Sequence, residues 1–235
     1  MNFEKYIISS LDYKDEDTFI LQIKPMEGKD IPHFTPGQFA ILKYDSIASA
    51  PRTHSFSIAS SPNTRNYLEF CVKIYGSWTK ILGQKKTGET IELSGPYGRF
   101  TYEIDIKEAI FLAGGIGIAP IMSMLRFIQE TQPNILFYLF YGNRTTQTIL
   151  YKDEIENILS HFPNSQMIHI LSHLKDSDPW EGYRGFITPE IIQKEAKNMT
   201  DPTYFICGPP IFVQKMKDIL NTQKVNPQNI KQELI

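Results

Sequence analysis

The chain has 235 residues, of which 41% are hydrophobic and 21% charged, and its formal net charge is −2. This composition is typical of a globular protein with one large or two small domains, and it gives no basic surface for nucleic acid or an anionic membrane. Cys71 and Cys207 are the only cysteines, which excludes a disulfide framework, and the sequence indicates no metal site. We expect a cytoplasmic protein, because the N-terminus lacks the apolar run of a signal peptide and no apolar window is long enough to span a bilayer.

Residues 1–104 contain short alternating runs separated by Gly and Pro. These runs are FILQIKP, QFAILKY, HSFSIAS, YLEFCVKIY and ETIELSGP. Several short strands at this spacing favour an antiparallel β-barrel or sandwich. One short helix is predicted within this domain, at SWTKILGQ.

Residues 105–235 follow a different pattern, in which continuous apolar runs alternate with helical ones. The apolar runs are EAIFLA, ILFYLFY, QMIHIL and TYFIC, and the helical patterns are PIMSMLRFIQE, KDEIENILSHF and IFVQKMKDIL. Such alternation predicts an α/β domain with a parallel sheet that is covered on both faces. We place the boundary between the two domains within residues 100–107, at 104/105.

Three loops follow predicted strands of the second domain, and ligands of open parallel sheets bind beyond the carboxyl ends of the strands. The loops are GGIGIAP (114–120), YGNRT (141–145) and CGPP (207–210). Gly115 and Gly117 allow close approach of a ligand to the backbone, and Pro120 suits the first turn of a helix whose free N–H groups fit a pyrophosphate. Alternatively, the glycines only form tight turns. The usual dinucleotide fingerprint is incomplete, because Pro120 replaces its third glycine and no acid ends the next strand.

Seven motifs in this order resemble the ferredoxin–NADP reductase superfamily, and the resemblance covers nearly the whole chain. The motifs are RTHSFSIASSP, GSWT, GPYGRF, GGIGIAP, YGNRT, CGPP and the closing ELI. Members are flavin reductases with a barrel domain that binds FAD or FMN and a second domain that binds NAD(P)H. The resemblance therefore implies a two-domain flavin oxidoreductase.

The superfamily uses an Arg-x-Tyr-Ser strand to hold the flavin, and two registers fit residues 52–57. In the first, Arg52, His54 and Ser55 take the Arg, Tyr and Ser roles. In the second, which we prefer, His54, Phe56 and Ser57 take them, and Arg52 supports the phosphate from the same face. For His54, a purely structural role is the alternative.

The resemblance also implies flavin contacts within residues 71–80, which are predicted to form a strand, a glycine turn and the start of a helix. It points to Val72, Lys73, Gly76, Ser77, Trp78 and Thr79. Thr79 and the N–H groups of residues 77–79 fit a second phosphate, which favours FAD over FMN. Alternatively, Thr79 is a plain helix cap.

The implied reaction is hydride transfer between the nicotinamide and flavin N5. By resemblance, Ser57 (or Ser55) hydrogen-bonds N5, Cys207 lies near the nicotinamide with Gly208 and Pro209 beside it, and Glu233 is a carboxylate partner. The alternatives are a small buried residue for Cys207 and an exposed acid for Glu233.

Three further positions complete the implied NAD(P)H site. Asn143 and Arg144 lie in a nucleotide-binding loop. Ile235 stands where plant-type members have a Tyr that stacks on the flavin, which implies freer access for the nicotinamide. Ser172-His173 and Lys175 leave the choice between NADH and NADPH open.

Three functions remain possible at this point. The first is an NAD(P)H oxidoreductase that passes electrons to a separate carrier such as ferredoxin, flavodoxin or an oxygenase component, because no cysteine-rich stretch for an iron–sulfur cluster is present. The second is reduction of free flavin or a ferric complex. The third is a flavin- or nucleotide-binding subunit without catalytic activity.

Overall fold

A computed structural model describes residues 2–27, 29–44, 53–175, 177–197 and 199–235. The first part of the chain forms six strands and one helix. These are β1 (Glu4–Tyr13), β2 (Thr18–Pro25), β3 (Phe39–Lys43), β4 (Thr53–Ser57), β5 (Leu68–Lys73), α1 (Ser77–Gly83) and β6 (Thr90–Tyr97).

The six strands form one antiparallel sheet in the order β4-β3-β6-β1-β2-β5. A bridge between Ile58 and Phe70 joins the two edges of this sheet, so that it closes into a barrel. Alternation along β3 turns Ala40 and Leu42 into the core, where both have no exposed surface, while Ile41 is only partly buried. The predicted antiparallel β-barrel is confirmed.

The second part of the chain alternates strands with helices, as the sequence predicts. The elements are β7 (Glu108–Gly114), α2 (Ile118–Thr131), β8 (Leu136–Asn143), α3 (Lys152–Leu159), β9 (Gln166–Leu171), β10 (Tyr183–Arg184), α4 (Pro189–Glu195), β11 (Thr203–Gly208), α5 (Pro210–Thr222) and β12 (Ile230–Leu234). Short 3₁₀ turns span Gly115–Gly117, Thr146–Thr148 and Pro227–Asn229.

All strand pairs of this second sheet are parallel, in the order β10-β9-β8-β7-β11-β12. Alternate residues of β7 pack in two separate cores: Phe111 lies with the α2 and α3 side, and Leu112 with the α4 and α5 side. Burial on both faces explains why the strand reads as a continuous apolar run. The strand order reverses between β7 and β11, and ligands of such sheets bind at this position.

The two domains are joined by the segment between Tyr97 and Glu108. Phe100 and Tyr102 in this segment are buried, and both rings lie 5.8 Å from the ring of Phe205 in β11. The predicted boundary at 104/105 falls in this segment and stays a prediction. Over the described ranges, no helix combines the length and the apolar character needed to cross a bilayer.

Candidate functional site

The strand β4 presents its side chains alternately to the two sides of the barrel wall. His54 and Phe56 pair with the buried Leu42 and Ala40 of β3 and share one side of the strand, where Phe56 is partly buried and His54 stays exposed. Ser55 and Ser57 face the opposite side, where Ser55 is exposed and Ser57 is buried. Arg52, which both registers place near the flavin phosphate, lies outside the described residues.

His54 and Phe56 pack against an aromatic residue of α1. The ring of Trp78 lies 5.0 Å from His54, 5.6 Å from Phe56 and 4.6 Å from Tyr44. Partial desolvation lowers the pKa of His54 and so favours its neutral imidazole. Trp78 is buried, and its Nε1–H has no hydrogen-bond partner among the described residues. This N–H is a donor without an acceptor, placed beside the two residues assigned to the flavin.

In the turn after β5, the backbone at Gly76 is open to a ligand, whereas the Thr79 hydroxyl is already hydrogen-bonded within the turn. Gly76 has a φ of 116°, and a Cβ placed there would meet nothing within 4 Å. The Thr79 hydroxyl accepts the N–H of Tyr75 at 2.7 Å and donates to the Gly76 carbonyl at 3.4 Å. Because this hydroxyl is used inside the turn, a phosphate bound here would have to rely on backbone N–H groups.

Three other residues assigned to the flavin, two at the end of β5 and one at the start of α1, differ in exposure. Val72 is buried in the barrel core, whereas Ser77 is exposed at the start of α1. Lys73 is also exposed and forms an ion pair with Asp17 at 3.3 Å. Of these three, Ser77 and Lys73 offer polar side-chain atoms at the surface.

The glycines of the loop after β7 have two different roles. Gly115 has a φ of +53°, and nothing lies within 4 Å of a Cβ placed there, so this turn is open to a ligand. A Cβ on Gly117 would lie 2.2 Å from the Cys207 carbonyl oxygen. Gly117 therefore allows the start of α2 to pack against β11. Pro120 follows in the first turn of α2 and is buried.

The loop after β8 contains a buried amide without partners. Asn143 is 7% exposed, and its Oδ1 and Nδ2 make no hydrogen bond of ordinary length and angle among the described residues, although the amide lies beside the Tyr141 hydroxyl. An unpartnered buried amide is costly unless a ligand completes it. Arg144, the next residue, is exposed.

Phe212 in α5 lies where the strand-end glycines meet, and it was not among the predicted site residues. A Cβ on Gly114 would lie 2.8 Å from Phe212 Cγ, and one on Gly208 would lie 2.8 Å from Phe212 Cδ1. The ring thus covers the backbone of both strand ends. The sequence showed Phe212 only as part of an apolar helical stripe.

Ser57, Cys207 and Glu233 come together although they are far apart in sequence. Cys207 pairs with Glu233 across β11 and β12. The Ser57 hydroxyl donates to Glu233 Oε2 at 3.4 Å, so a barrel side chain contacts the second domain here. Desolvation raises the pKa of Glu233 to about 7, although the Ser57 hydrogen bond opposes this shift. Burial, and then the charge of Glu233, raises the pKa of the Cys207 thiol, which has no exposed surface.

Two motifs border this meeting point. A Cβ on Gly98 of the GPYG motif would lie 3.8 Å from Glu233 Oε1. The Ile235 N–H donates to the Gly208 carbonyl at 3.2 Å, which places Ile235 beside the CGPP loop that includes Pro209.

The residues present fit a flavin in the barrel and a dinucleotide at the second sheet. The buried Trp78 N–H and the Asn143 amide lack partners, and Gly76 and Gly115 offer turns that an added side-chain atom would not obstruct. Oriented N–H groups and open glycine turns are what phosphate-containing cofactors require.

Comparison with known proteins decides the family. The oxidoreductase FAD-binding domain model matches residues 9–102, and the oxidoreductase NAD-binding domain model matches residues 111–218. A ferredoxin NADP+ reductase structure from Neisseria gonorrhoeae, with bound FAD and NADP, covers 100% of this chain and 99% of that chain, with a TM-score of 0.82 and 19% identity. The chain belongs to the ferredoxin–NADP reductase superfamily. Its barrel is the FAD-binding domain of this superfamily, and its second domain binds NAD(P)H.

Two curated members of the superfamily match nearly the whole chain. The phenol hydroxylase P5 protein of Acinetobacter pittii is 28% identical over 98% of this chain and 65% of its own length. The propane 2-monooxygenase reductase component of Mycolicibacterium goodii is 29% identical over 93% of this chain and 63% of its own length. The chain spans between about half and two thirds of the length of the curated relatives that it matches.

Proposed function

We propose that this protein oxidises NAD(P)H by hydride transfer to bound FAD and passes the electrons to a separate acceptor protein. The observation that carries the proposal is the contact of Ser57 in the barrel with Glu233 in the second sheet, in register with Cys207. This contact lies between the flavin strand and the carboxyl ends of the nucleotide-binding strands. A flavin and a nicotinamide held by these two domains would meet there.

The FAD supplies the redox chemistry, because it accepts a hydride and releases electrons singly or in pairs. We assign the flavin contact to the second register, because Ser57 lies beside Glu233 whereas Ser55 is exposed. The Ser57 hydroxyl would orient a flavin bound at this strand. Glu233, with its pKa near neutrality, can take up or release a proton at that hydroxyl. The buried Cys207 thiol stays protonated and forms an uncharged wall.

The dinucleotide is assigned to the strand-end loops of the second sheet. Gly115 and the start of α2 would hold the pyrophosphate, and Asn143 would gain partners for its unpaired amide. Arg144 and Lys175 supply cations near a ribose phosphate, so we propose that both NADH and NADPH are accepted. The ratio of kcat/KM for the two cofactors measures this, and an R144A variant should lose more activity with NADPH than with NADH.

We propose an oxygenase component or a ferredoxin-like carrier as the electron acceptor, and a cytoplasmic location. Two relatives support this class of acceptor, because one is named a phenol hydroxylase protein and the other a monooxygenase reductase component. The acceptor would have to reach the flavin at the barrel surface.

Anaerobic titration of the FAD-loaded protein tests the proposal. Absorbance near 450 nm should bleach on addition of about one equivalent of NADH or NADPH. Added ferredoxin should then reoxidise the flavin faster than added free flavin or a ferric complex does. A protein that binds FAD but is not bleached by either nicotinamide would be a subunit without catalytic activity.

A further inference from the structure

One side of α2 is hydrogen-bonded to the barrel. Ser123, Arg126 and Glu130 are spaced i, i+3 and i+7, so they share one side of this helix, which we call the α2 stripe. The Ser123 hydroxyl donates to the Ser60 carbonyl at 2.8 Å, and Arg126 Nη1 donates to the Ala59 carbonyl at 2.8 Å.

The third member of the stripe holds the same barrel segment further along. Glu130 accepts hydrogen bonds from the Ser61 hydroxyl at 2.6 Å and from the Asn63 side-chain amide at 2.7 Å. Three residues on about two turns of one helix thus contact the continuous segment 59–63, which follows β4.

The centre of this contact is a buried ion pair between the domains. Arg126 and Glu69 of β5 have side chains that are only 14% and 5% exposed, and Nη1 lies 2.8 Å from Oε1. The remaining guanidinium atoms form a two-point contact with Glu154, with Nε–Oε1 at 2.6 Å and Nη2–Oε2 at 2.9 Å. Tyr151 donates to Glu69 Oε1 at 2.9 Å, and Gln22 donates to Oε2 at 2.8 Å. Both oxygens of the Glu69 carboxylate therefore accept hydrogen bonds from neighbouring side chains.

The α2 stripe connects the proposed nucleotide loop, at the start of α2, with the proposed flavin strand β4. The helix α2 begins directly after the Gly115–Gly117 turn, and segment 59–63 begins two residues after Ser57. A shift of α2 along the barrel would therefore move the proposed nucleotide loop relative to the flavin strand.

Apolar contacts alone would not fix this arrangement, because apolar attraction has no preferred direction. A buried ion pair adds little stability compared with apolar residues of the same size, but it has strict geometric requirements. Hydride transfer has such a requirement too, because reacting atoms must approach to about 3–3.5 Å.

We propose that Arg126, through Glu69, is a positioning residue that fixes the nucleotide-binding domain on the barrel at the separation hydride transfer needs. This inference rests on the proposed function. Arg126 touches neither cofactor in this assignment, and it acts through the placement of α2.

The informative variant removes both charges. Arg126→Met alone leaves Glu69 buried without its cation, and poor folding is expected. The double variant E69Q/R126M removes the buried carboxylate together with its cation and keeps similar side-chain volumes, while Glu154, whose side chain is 40% exposed, keeps its charge at the surface. Arg126→Lys keeps the charge but loses the two-point contact with Glu154. Lys152→Met on α3 is the matched control, because it removes an exposed cation whose partner, Glu156, lies on the same helix.

We expect E69Q/R126M to bind FAD and NAD+ with dissociation constants within about threefold of wild type, because neither binding loop is altered. At saturating NADH, flavin reduction should be at least about tenfold slower with KM nearly unchanged, and the long-wavelength absorbance of the stacked nicotinamide–flavin pair should be lost. R126K should give intermediate values, and K152M should match wild type.

Calorimetry provides a readout that does not depend on activity. Wild type should unfold in one transition and E69Q/R126M in two, because the domains are less tightly coupled. The positioning role would be overturned if E69Q/R126M reduced its flavin at the wild-type rate, kept the long-wavelength absorbance and unfolded in a single calorimetric transition. A wild type that no nicotinamide reduces would contradict the proposed function instead, and the calorimetric comparison would still decide whether the pair couples the domains.

Discussion

The strand-end loops of the second domain and the strand β4 of the barrel form the two sides of the proposed site by different means. In the loops, backbone geometry dominates: Gly115 provides an open turn, and Gly117 allows a helix to pack on a strand. In β4, side-chain direction dominates, because Ser57 and Phe56 point to opposite sides of one short strand.

This difference determines how each region should respond to mutation. A loop built from glycines tolerates added atoms only where space exists, so neighbouring positions should differ sharply in stability. A strand that works through side chains should instead show alternation in activity, with little change in folding.

The largest expected effect is on stability, in the variant Gly117→Ala. The added Cβ would lie 2.2 Å from the Cys207 carbonyl oxygen, a backbone atom that cannot move without shifting β11. We expect the free energy of unfolding to fall by about 3 kcal/mol, at the upper end for overpacking. Urea denaturation monitored by circular dichroism measures this change.

The matched control is Gly115→Ala, two residues away. No atom lies near the new Cβ, so the substitution adds no steric clash. The expected loss in the free energy of unfolding is only the backbone strain of a non-glycine residue at a φ of +53°, which is about 1–2 kcal/mol. Equal losses in the two variants would contradict the packing role of Gly117.

The next effect is on catalysis, in Ser57→Ala compared with Ser55→Ala. Loss of the Ser57 hydroxyl should slow flavin reduction by about 10- to 100-fold, as for one positioned hydrogen-bond donor. Loss of the exposed Ser55 hydroxyl should change the rate of flavin reduction by less than about twofold, as expected for a surface substitution. Anaerobic stopped-flow measurements at 450 nm compare them, and a reversed order would favour the first register.

Much of the fold could be predicted from the sequence because its signals are local. The runs EAIFLA and ILFYLFY are apolar at successive positions, which a strand buried on both faces requires. The three loops then follow from the rule that ligands bind at the carboxyl ends of parallel strands.

The rest depends on contacts that are distant in sequence. Residues 52–57 alternate so regularly that two registers fit, and only the proximity of Ser57 to Glu233 favours one. Arg126 is polar on a helix and therefore resembles a solvated residue, whereas its partner Glu69 lies 57 positions earlier. The assignment of Trp78 to the flavin stays a prediction, and its packing against His54 joins two elements that the sequence pattern does not relate to each other.

A pH-dependent effect on stability is expected from Glu233. Its pKa is raised in the folded protein from 4.5 to about 7, so the folded state holds a proton that the unfolded state loses. The resulting stability is present below pH 4.5 and is lost as the pH rises to about 7. The loss should be about 1–2 kcal/mol after allowance for partial exposure.

The variant Glu233→Gln isolates this contribution. It should remove the pH dependence of stability between pH 4.5 and about pH 7, and it should be more stable than wild type at pH 8. Glu103→Gln, at an exposed ion pair, should change the stability little. Melting temperatures at pH 5 and pH 8 provide the comparison. Identical pH profiles for wild type and E233Q would show that this carboxyl is ionised normally.

The smallest expected effect is on nicotinamide binding, in a variant of Ile235. It tests whether the backbone of the CGPP loop or the side chain of Ile235 limits access for the nicotinamide. Ile235 is 44% exposed and hydrogen-bonds the Gly208 carbonyl, beside the pocket assigned to the nicotinamide. A tyrosine at this position could stack on the flavin and compete with the nicotinamide, because aromatic stacking contributes about 0.5–1.5 kcal/mol. We expect Ile235→Tyr to raise KM for NADH by about threefold, or somewhat more, with kcat nearly unchanged. Ile235→Leu keeps an aliphatic side chain and should leave KM as it is. If the tyrosine variant also keeps the wild-type KM, access is limited by the backbone of the CGPP loop, and the contribution of side chains is confined to β4.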